Sequence, residues 1–123
     1  MENLLAGMIS FGQNDYVIAT KHFRHIIQEI VTNPELLEKW DILYIIINSF
    51  ILAKDYQTAL AITDAALNQP TTAKDELYNK RGIIFYRIKK LSKAIEAFKA
   101  ALVLSPDNLL FMENLADVYL KLH

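Results

Sequence analysis

The sequence has no cysteine, which excludes a disulfide framework, a thiolate zinc site and a cysteine nucleophile together. It has three glycines and three prolines in 123 residues. That is too few to punctuate the many short strands of a sandwich or barrel, and enough to separate a handful of long helices. An excess of one charge is also missing. Thirteen Lys and Arg stand against fourteen Asp and Glu, a formal net charge of −1, so any nucleic-acid or lipid partner would have to use a local patch. The longest apolar stretch, Ile42 to Ala53, is broken by Asn48 and Ser49 and falls short of the roughly 18 to 20 residues a bilayer requires. The start, Met-Glu-Asn-Leu-Leu, is acidic and leads into no long apolar run, which argues against a signal peptide. What remains is 53% hydrophobic and 22% charged, the composition of a chain that folds. The expectation is one all-α domain, soluble and cytoplasmic.

The sequence repeats itself. Asp15-Tyr16-x-x-Ala19-x-x-x-Phe23 aligns with Asp55-Tyr56-x-x-Ala59-x-x-x-Thr63 and with Lys90-Leu91-x-x-Ala94-x-x-x-Phe98. Pro34, Pro70 and Pro106 fall 36 residues apart, each after one of these segments, where proline ends one helix or opens the next. Between the motifs the apolar residues recur at three and four, as in Leu77, Tyr78, Ile84, Phe85 and Ile88, so each unit reads as two amphipathic helices. Small residues at Ala19, Ala59, Ala66, Ala94 and Ala101 let helix axes approach, and Tyr16, Tyr56, Phe23 and Phe98 fill the space beside them. The first junction, Thr32 to Lys39, holds several extra residues, with Asn33 as an N-cap and Pro34 in the first turn. Thr71 or Thr72 and the run Ser105-Pro106-Asp107 are the expected starts of two later helices. Seven helices are predicted, near 2–12, 15–32, 34–53, 56–68, 73–89, 91–104 and 107–122.

These residues resemble the tetratricopeptide repeat, a 34-residue helical hairpin. Residues 75–108 fit best, with Tyr78, Gly82, Phe85, Leu91, Ala94, Phe98, Ala101, Leu102 and Pro106 in the family's slots and Arg81 in place of the usual Leu. The first unit supplies Gly7, Tyr16, Ala19 and Phe23. The second has Leu43, Phe50, Tyr56, Ala59, Ala66 and Leu67, but Ile47 stands where the small residue is normal and Thr63 where Phe is normal. Met112, Leu115, Ala116 and Tyr119 begin a fourth unit. The resemblance implies a single domain, an α-solenoid of three hairpins plus a seventh C-terminal helix wound as a right-handed superhelix. Its units are 1–34, 35–74, 75–108 and a partial repeat or capping helix at 109–123. It further implies a non-catalytic protein–protein interaction module, without cofactor, whose concave groove takes a peptide or protein segment. The groove slots place Tyr44, Asn48, Asn79, Ile83, Tyr86 and Arg87 as partner-binding residues, the two amides bonding a peptide backbone and the aromatics seating side chains. The carboxylate clamp of chaperone-binding members would need donors at the positions of Leu4, Met8, Ile45, Glu76 and Lys80. Four of these lack one, so a clamp is not expected.

Other chemistry is thin. His22, His25 and Glu29 have a helical spacing that could hold a metal, yet in the repeat frame they point to solvent, and no metal site is expected. Glu113 and Asp117 lie four apart with no His, Ser or Cys placed to complete a catalytic set. Gly7, Gly12 and Gly82 are isolated and form no phosphate loop. Residues 75–108 carry seven bases against four acids, a local +3. Because these bases spread over both helices, an acidic protein partner or simple solubility fits them better than RNA. Finally, the last helix is apolar nearly all round, and the chain stops at His123 where a further helix should begin. Either the chain is a piece of a larger protein or enzyme that it regulates or localises, or a second copy covers this helix. Both lead to expected self-association through residues 109–122, with Leu115 and Tyr119 central, as a possible homodimer.

Overall fold

A computed structural model describes residues 2–122; Met1 and His123 lie outside them. The described residues form nine helices and no strand, and divide into two compact units, Met1–Gln69 and Pro70–His123. The first unit holds α1 (Glu2–Gly12), α2 (Tyr16–Arg24), α3 (Ile27–Thr32), α4 (Pro34–Glu38), α5 (Trp40–Leu52) and α6 (Tyr56–Leu67). The second holds α7 (Lys74–Arg87), α8 (Leu91–Leu104) and α9 (Leu109–Leu122). Among the described residues no helix is long and apolar enough to cross a membrane.

Nine helices replace the seven expected because two long ones are broken. The segment 15–32 parts at Ile26, whose φ of −123° and ψ of 19° leave the helical region. Its N–H reaches back only three residues, to Phe23 O at 3.0 Å. Neither Gly nor Pro stands there to announce it. The segment 34–53 parts at Lys39, which is extended at φ −88° and ψ 92°. The cap at that junction does match expectation: Asn33 Oδ1 accepts from Leu36 N, with Pro34 in the first turn. Two other starts move. Thr71 Oγ1 accepts from Ala73 N instead of capping α7 directly. The start of α9 is capped by Asn108, whose Oδ1 takes Phe111 N at 3.1 Å. Ser105 turns back and donates to Asp75 Oδ2 at 2.6 Å.

Three hairpin turns are built alike. Asn14, Lys54 and Lys89 sit at φ 61°, 65° and 64°. At each, the residue's own N–H bonds the carbonyl three back (Phe11, Ile51, Tyr86), and the next N–H bonds the one five back (Ser10, Phe50, Phe85), at 2.8–3.0 Å. This is the Schellman arrangement, which satisfies the last carbonyls of the helix and favours glycine at its left-handed position. Lysine there is strained, so Lys54→Gly should raise stability by about 0.5–1 kcal/mol in thermal melts. Asp15 and Asp55 then cap the following helices, accepting from Ile18 N and Thr58 N.

The hairpins close on an interlocking pair. A Cβ on Gly7 would meet the Phe23 ring at 2.3 Å, and one on Gly82 would meet the Phe98 ring at 2.5 Å. Each Phe is 16 residues after its Gly, and both rings are buried. Ile47 and Thr63 hold the same spacing in the middle hairpin, both fully buried, with Thr63 Oγ1 donating to Ala59 O at 2.8 Å. The bulk has moved from the second helix of the hairpin to the first. The sequence departs from the repeat pattern at both positions at once, an exchange that roughly conserves the volume of the pair.

Within the first unit Arg24 pairs with Asp55 at 2.9 Å, and its guanidinium lies 5.5 Å from the Phe50 ring centroid. Arg24 is half exposed, so the pair is worth at most about 1 kcal/mol. Burial alone would push the Asp55 carboxyl up. The bonds from Arg24 and Thr58 outweigh it and hold the group below its ordinary 3.8. Stability from this carboxylate is therefore present above that range and lost on acidification.

Candidate functional site

In the second unit, Asn79, Ile83, Tyr86 and Arg87 share one face of α7, at intervals of four, three and one residues. Leu77, Ile84 and Phe85 turn the other way and are buried. Opposite this face α9 is anchored by Phe111 and Val118, both fully buried, and brings Asn114 and Asp117 alongside. A cavity of about 210 Å³ results, lined by Ile83, Tyr86, Arg87, Phe98, Asn114 and Asp117. A second cavity of about 450 Å³ shares Tyr86 and Arg87 with the first and adds Lys89, Leu91 and Lys121. Ile83 and Tyr86 are half-buried and Arg87 is exposed, so these three present an open apolar wall with a cation at its edge.

Asn79 departs from its expected role. It is only 2% exposed, and its Oδ1 accepts from Asn114 Nδ2 at 2.8 Å. The side chain expected to bond a peptide backbone thus ties α7 to α9. Asn79 stands in a groove slot of the repeat pattern; its partner Asn114, the one amide within α9, was not among the expected site residues. In the first unit Tyr44 is exposed on α5, its ring 5.9 Å from Trp40 in an edge-on contact. Asn48 lies one turn further on and is half-buried. Leu115 is half-buried and Tyr119 is 38% exposed. The last helix is therefore not apolar on every face without purpose, since Phe111 and Val118 belong to the core of the second unit.

Glu76 and Lys80, neighbours one turn apart on α7, shift in opposite senses. Burial raises the Glu76 carboxyl, with Asp75 adding to it and Lys80 opposing; burial lowers the Lys80 ammonium, with Glu76 opposing. Both groups hold their charge less readily than exposed ones would.

The first unit also has a cleft that the sequence did not announce, about 820 Å³ in volume, between α1, α3, α4 and the start of α5. It opens where the two long helices break, and Leu4, Ile26, Ile30 and Leu36 form its apolar part with His25 and Glu29 on its wall. His22 lies apart from these two, with Nδ1 3.3 Å from Asn3 Oδ1. Among the described residues no three His, Cys, Asp or Glu are grouped to hold a metal ion.

Comparison with known proteins places this geometry. The family model described as "Tetratricopeptide repeat" matches residues 75–108, the stretch of α7, its Schellman turn and α8. No curated protein matches the sequence. Among solved structures, the first TPR of Spaghetti (RPAP3), bound to the HSP90 peptide SRMEEVD, is similar with a TM-score of 0.73 and 20% identity, covering 94% of this chain and 86% of that one. Residues 75–108 thus form a tetratricopeptide repeat, and the chain that carries it has the tetratricopeptide-repeat fold.

Proposed function

We propose that the chain is a non-catalytic protein-interaction module that binds a peptide segment against α7. The observation that carries this reading is the pair of open cavities meeting at Tyr86 and Arg87. A half-buried aromatic beside an arginine is the combination that anchors peptide and protein partners. A protein of the same fold holding a peptide supports it. Ile83 and Tyr86 seat an apolar side chain of the ligand, and Asn114 and Asp117 offer polar partners across the cavity. In the first unit, taken by itself, Tyr44 and Asn48 on α5 offer a second candidate contact, an exposed ring and a half-buried amide one turn apart. A carboxylate clamp of the chaperone-binding kind has little to stand on, because Leu4, Met8 and Ile45 carry no donor and Glu76 would face the anion.

The test is a peptide selected from a random display library by the full chain. Tyr86→Ala should weaken its binding by about 1–2 kcal/mol while leaving the melting temperature nearly unchanged. Asn79→Ala should lower the melting temperature as well, because it strips Asn114 of its acceptor. Equal affinity in the Tyr86 variant would move the site elsewhere.

A second reading concerns α9. Met112, Leu115, Ala116 and Tyr119 stand 34 residues after Tyr78, Arg81, Gly82 and Phe85. In α7 that register holds Gly82, which packs under Phe98 of α8. In α9 Met112 is 41% and Tyr119 38% exposed. A second copy covering this stripe would make a homodimer. Light scattering at micromolar concentration should give a mass near two chains, shifted toward one by Tyr119→Glu or Leu115→Glu. A monomeric mass for the unmodified chain would remove the dimer.

A further inference from the structure

We infer that the larger cavity on the second unit selects acidic peptide segments, seating side-chain carboxylates between Arg87, Lys89 and Lys121 with the following apolar residue in the adjoining cavity. The inference rests on the peptide-binding reading above and gives its ligand a chemistry. Among the described residues, five line the cavity, of which three are cations and none is an acid. Among the described residues none of the three makes an ion pair or a side-chain hydrogen bond. Capping does not occupy them either. The last carbonyls of α7 are taken by backbone N–H groups, Lys89 N on Tyr86 O at 3.0 Å and Lys90 N on Phe85 O at 2.9 Å, which leaves the side chains of Arg87 and Lys89 uncommitted. The same bonds fix Lys89 at φ 64°, so the lysine is presented from a rigid turn rather than a mobile loop. Lys121 reaches the cavity from α9, which Phe111 and Val118 anchor.

Like charges held close in a concave site repel one another and are relieved by a ligand of opposite sign. A carboxylate is the better match than a nucleic-acid backbone. Tyr86 and Leu91 make the site partly apolar, and the neighbouring cavity is bordered by Asp117. A strand of evenly spaced phosphates running on past the site would meet that carboxylate, whereas a peptide places an apolar residue there, against Ile83 and Phe98.

The test uses a fluorescein-labelled heptapeptide with blocked ends and a Glu-Glu-Leu centre in Gly/Ser flanks, its Gln-Gln-Leu counterpart, and decauridylate, each titrated into the full chain by anisotropy at about 0.15 M salt. The acidic peptide should bind at least tenfold more tightly than the Gln peptide, and Lys89→Gln combined with Lys121→Gln should remove that preference. Equal binding of the two peptides, or an unchanged preference in the double variant, overturns the inference. Tighter binding of decauridylate, lost in the same variant, overturns it in favour of phosphate. A Gln peptide that binds as well and is lost in Tyr86→Ala would leave the peptide-binding reading standing and remove the acid preference alone. Neither peptide binding at millimolar concentration overturns the inference as well, and the display-selected peptide then decides the broader reading separately.

Discussion

Gly82→Ala should lower the stability of the chain by about 1–3 kcal/mol, the range for overpacking a filled core. The added methyl would lie 2.5 Å from the Phe98 ring, far inside van der Waals contact. Phe98 is 2% exposed and bordered by Ala94 and Ala101, which are fully buried, so the ring has nowhere to retreat without parting α8 from α7. Gly7→Ala should behave likewise against Phe23, which would stand 2.3 Å away. Gly12→Ala is the control. A Cβ there meets nothing within 4 Å, and alanine is the better helix former by roughly 1 kcal/mol, so that change should be neutral or stabilising. Denaturant melts of the three variants check the ranking; a Gly82 variant as stable as the Gly12 variant would mean that the ring does not lock the hairpin.

Thr63→Phe should be as damaging alone and be rescued by Ile47→Gly. In the outer hairpins the bulk sits on the second helix and the space on the first. The middle one reverses this, and both of its residues are fully buried. Restoring Phe at position 63 with Ile47 in place puts two large groups in one space, at about 1–3 kcal/mol. Ile47→Gly alone leaves a cavity, at about 2–5 kcal/mol by analogy with other large-to-small changes. The double variant recreates the Gly–Phe pair, so its loss should be smaller than the sum of the single losses by about 0.5–3 kcal/mol, the coupling expected of residues in contact. Strict additivity in urea melts would show that the two positions do not share a space.

The members of the packing pairs were legible, since Gly7, Phe23, Gly82 and Phe98 stand in the repeat's slots and Ile47 and Thr63 depart from them. Their pairing was not, because only the closed hairpin brings each Gly under its Phe ring. The helix breaks at Ile26 and Lys39 were not legible either, because neither is a Gly or Pro that would mark a break in the sequence. The cleft they open was hidden for the same reason. At the candidate site, Ile83, Tyr86 and Arg87 come from the groove slots that the repeat resemblance implies. The Asn79–Asn114 bond joins residues 35 apart and needs the docking of α9 to be seen. The lysine cavity was half visible: the excess of base in residues 75–108 was counted, but Lys121 lies beyond them, and only the fold brings it to Arg87 and Lys89.

The most direct measurement of the central claim is a backbone amide shift map of the isotopically labelled full chain, titrated with the display-selected peptide. Binding against α7 predicts that the largest changes fall at Ile83, Tyr86, Arg87, Asn114 and Asp117, the residues of α7 and α9 that line the smaller cavity. Changes centred on Lys93, Glu96 and Lys99, exposed on α8, with the α7 residues unmoved, would contradict it.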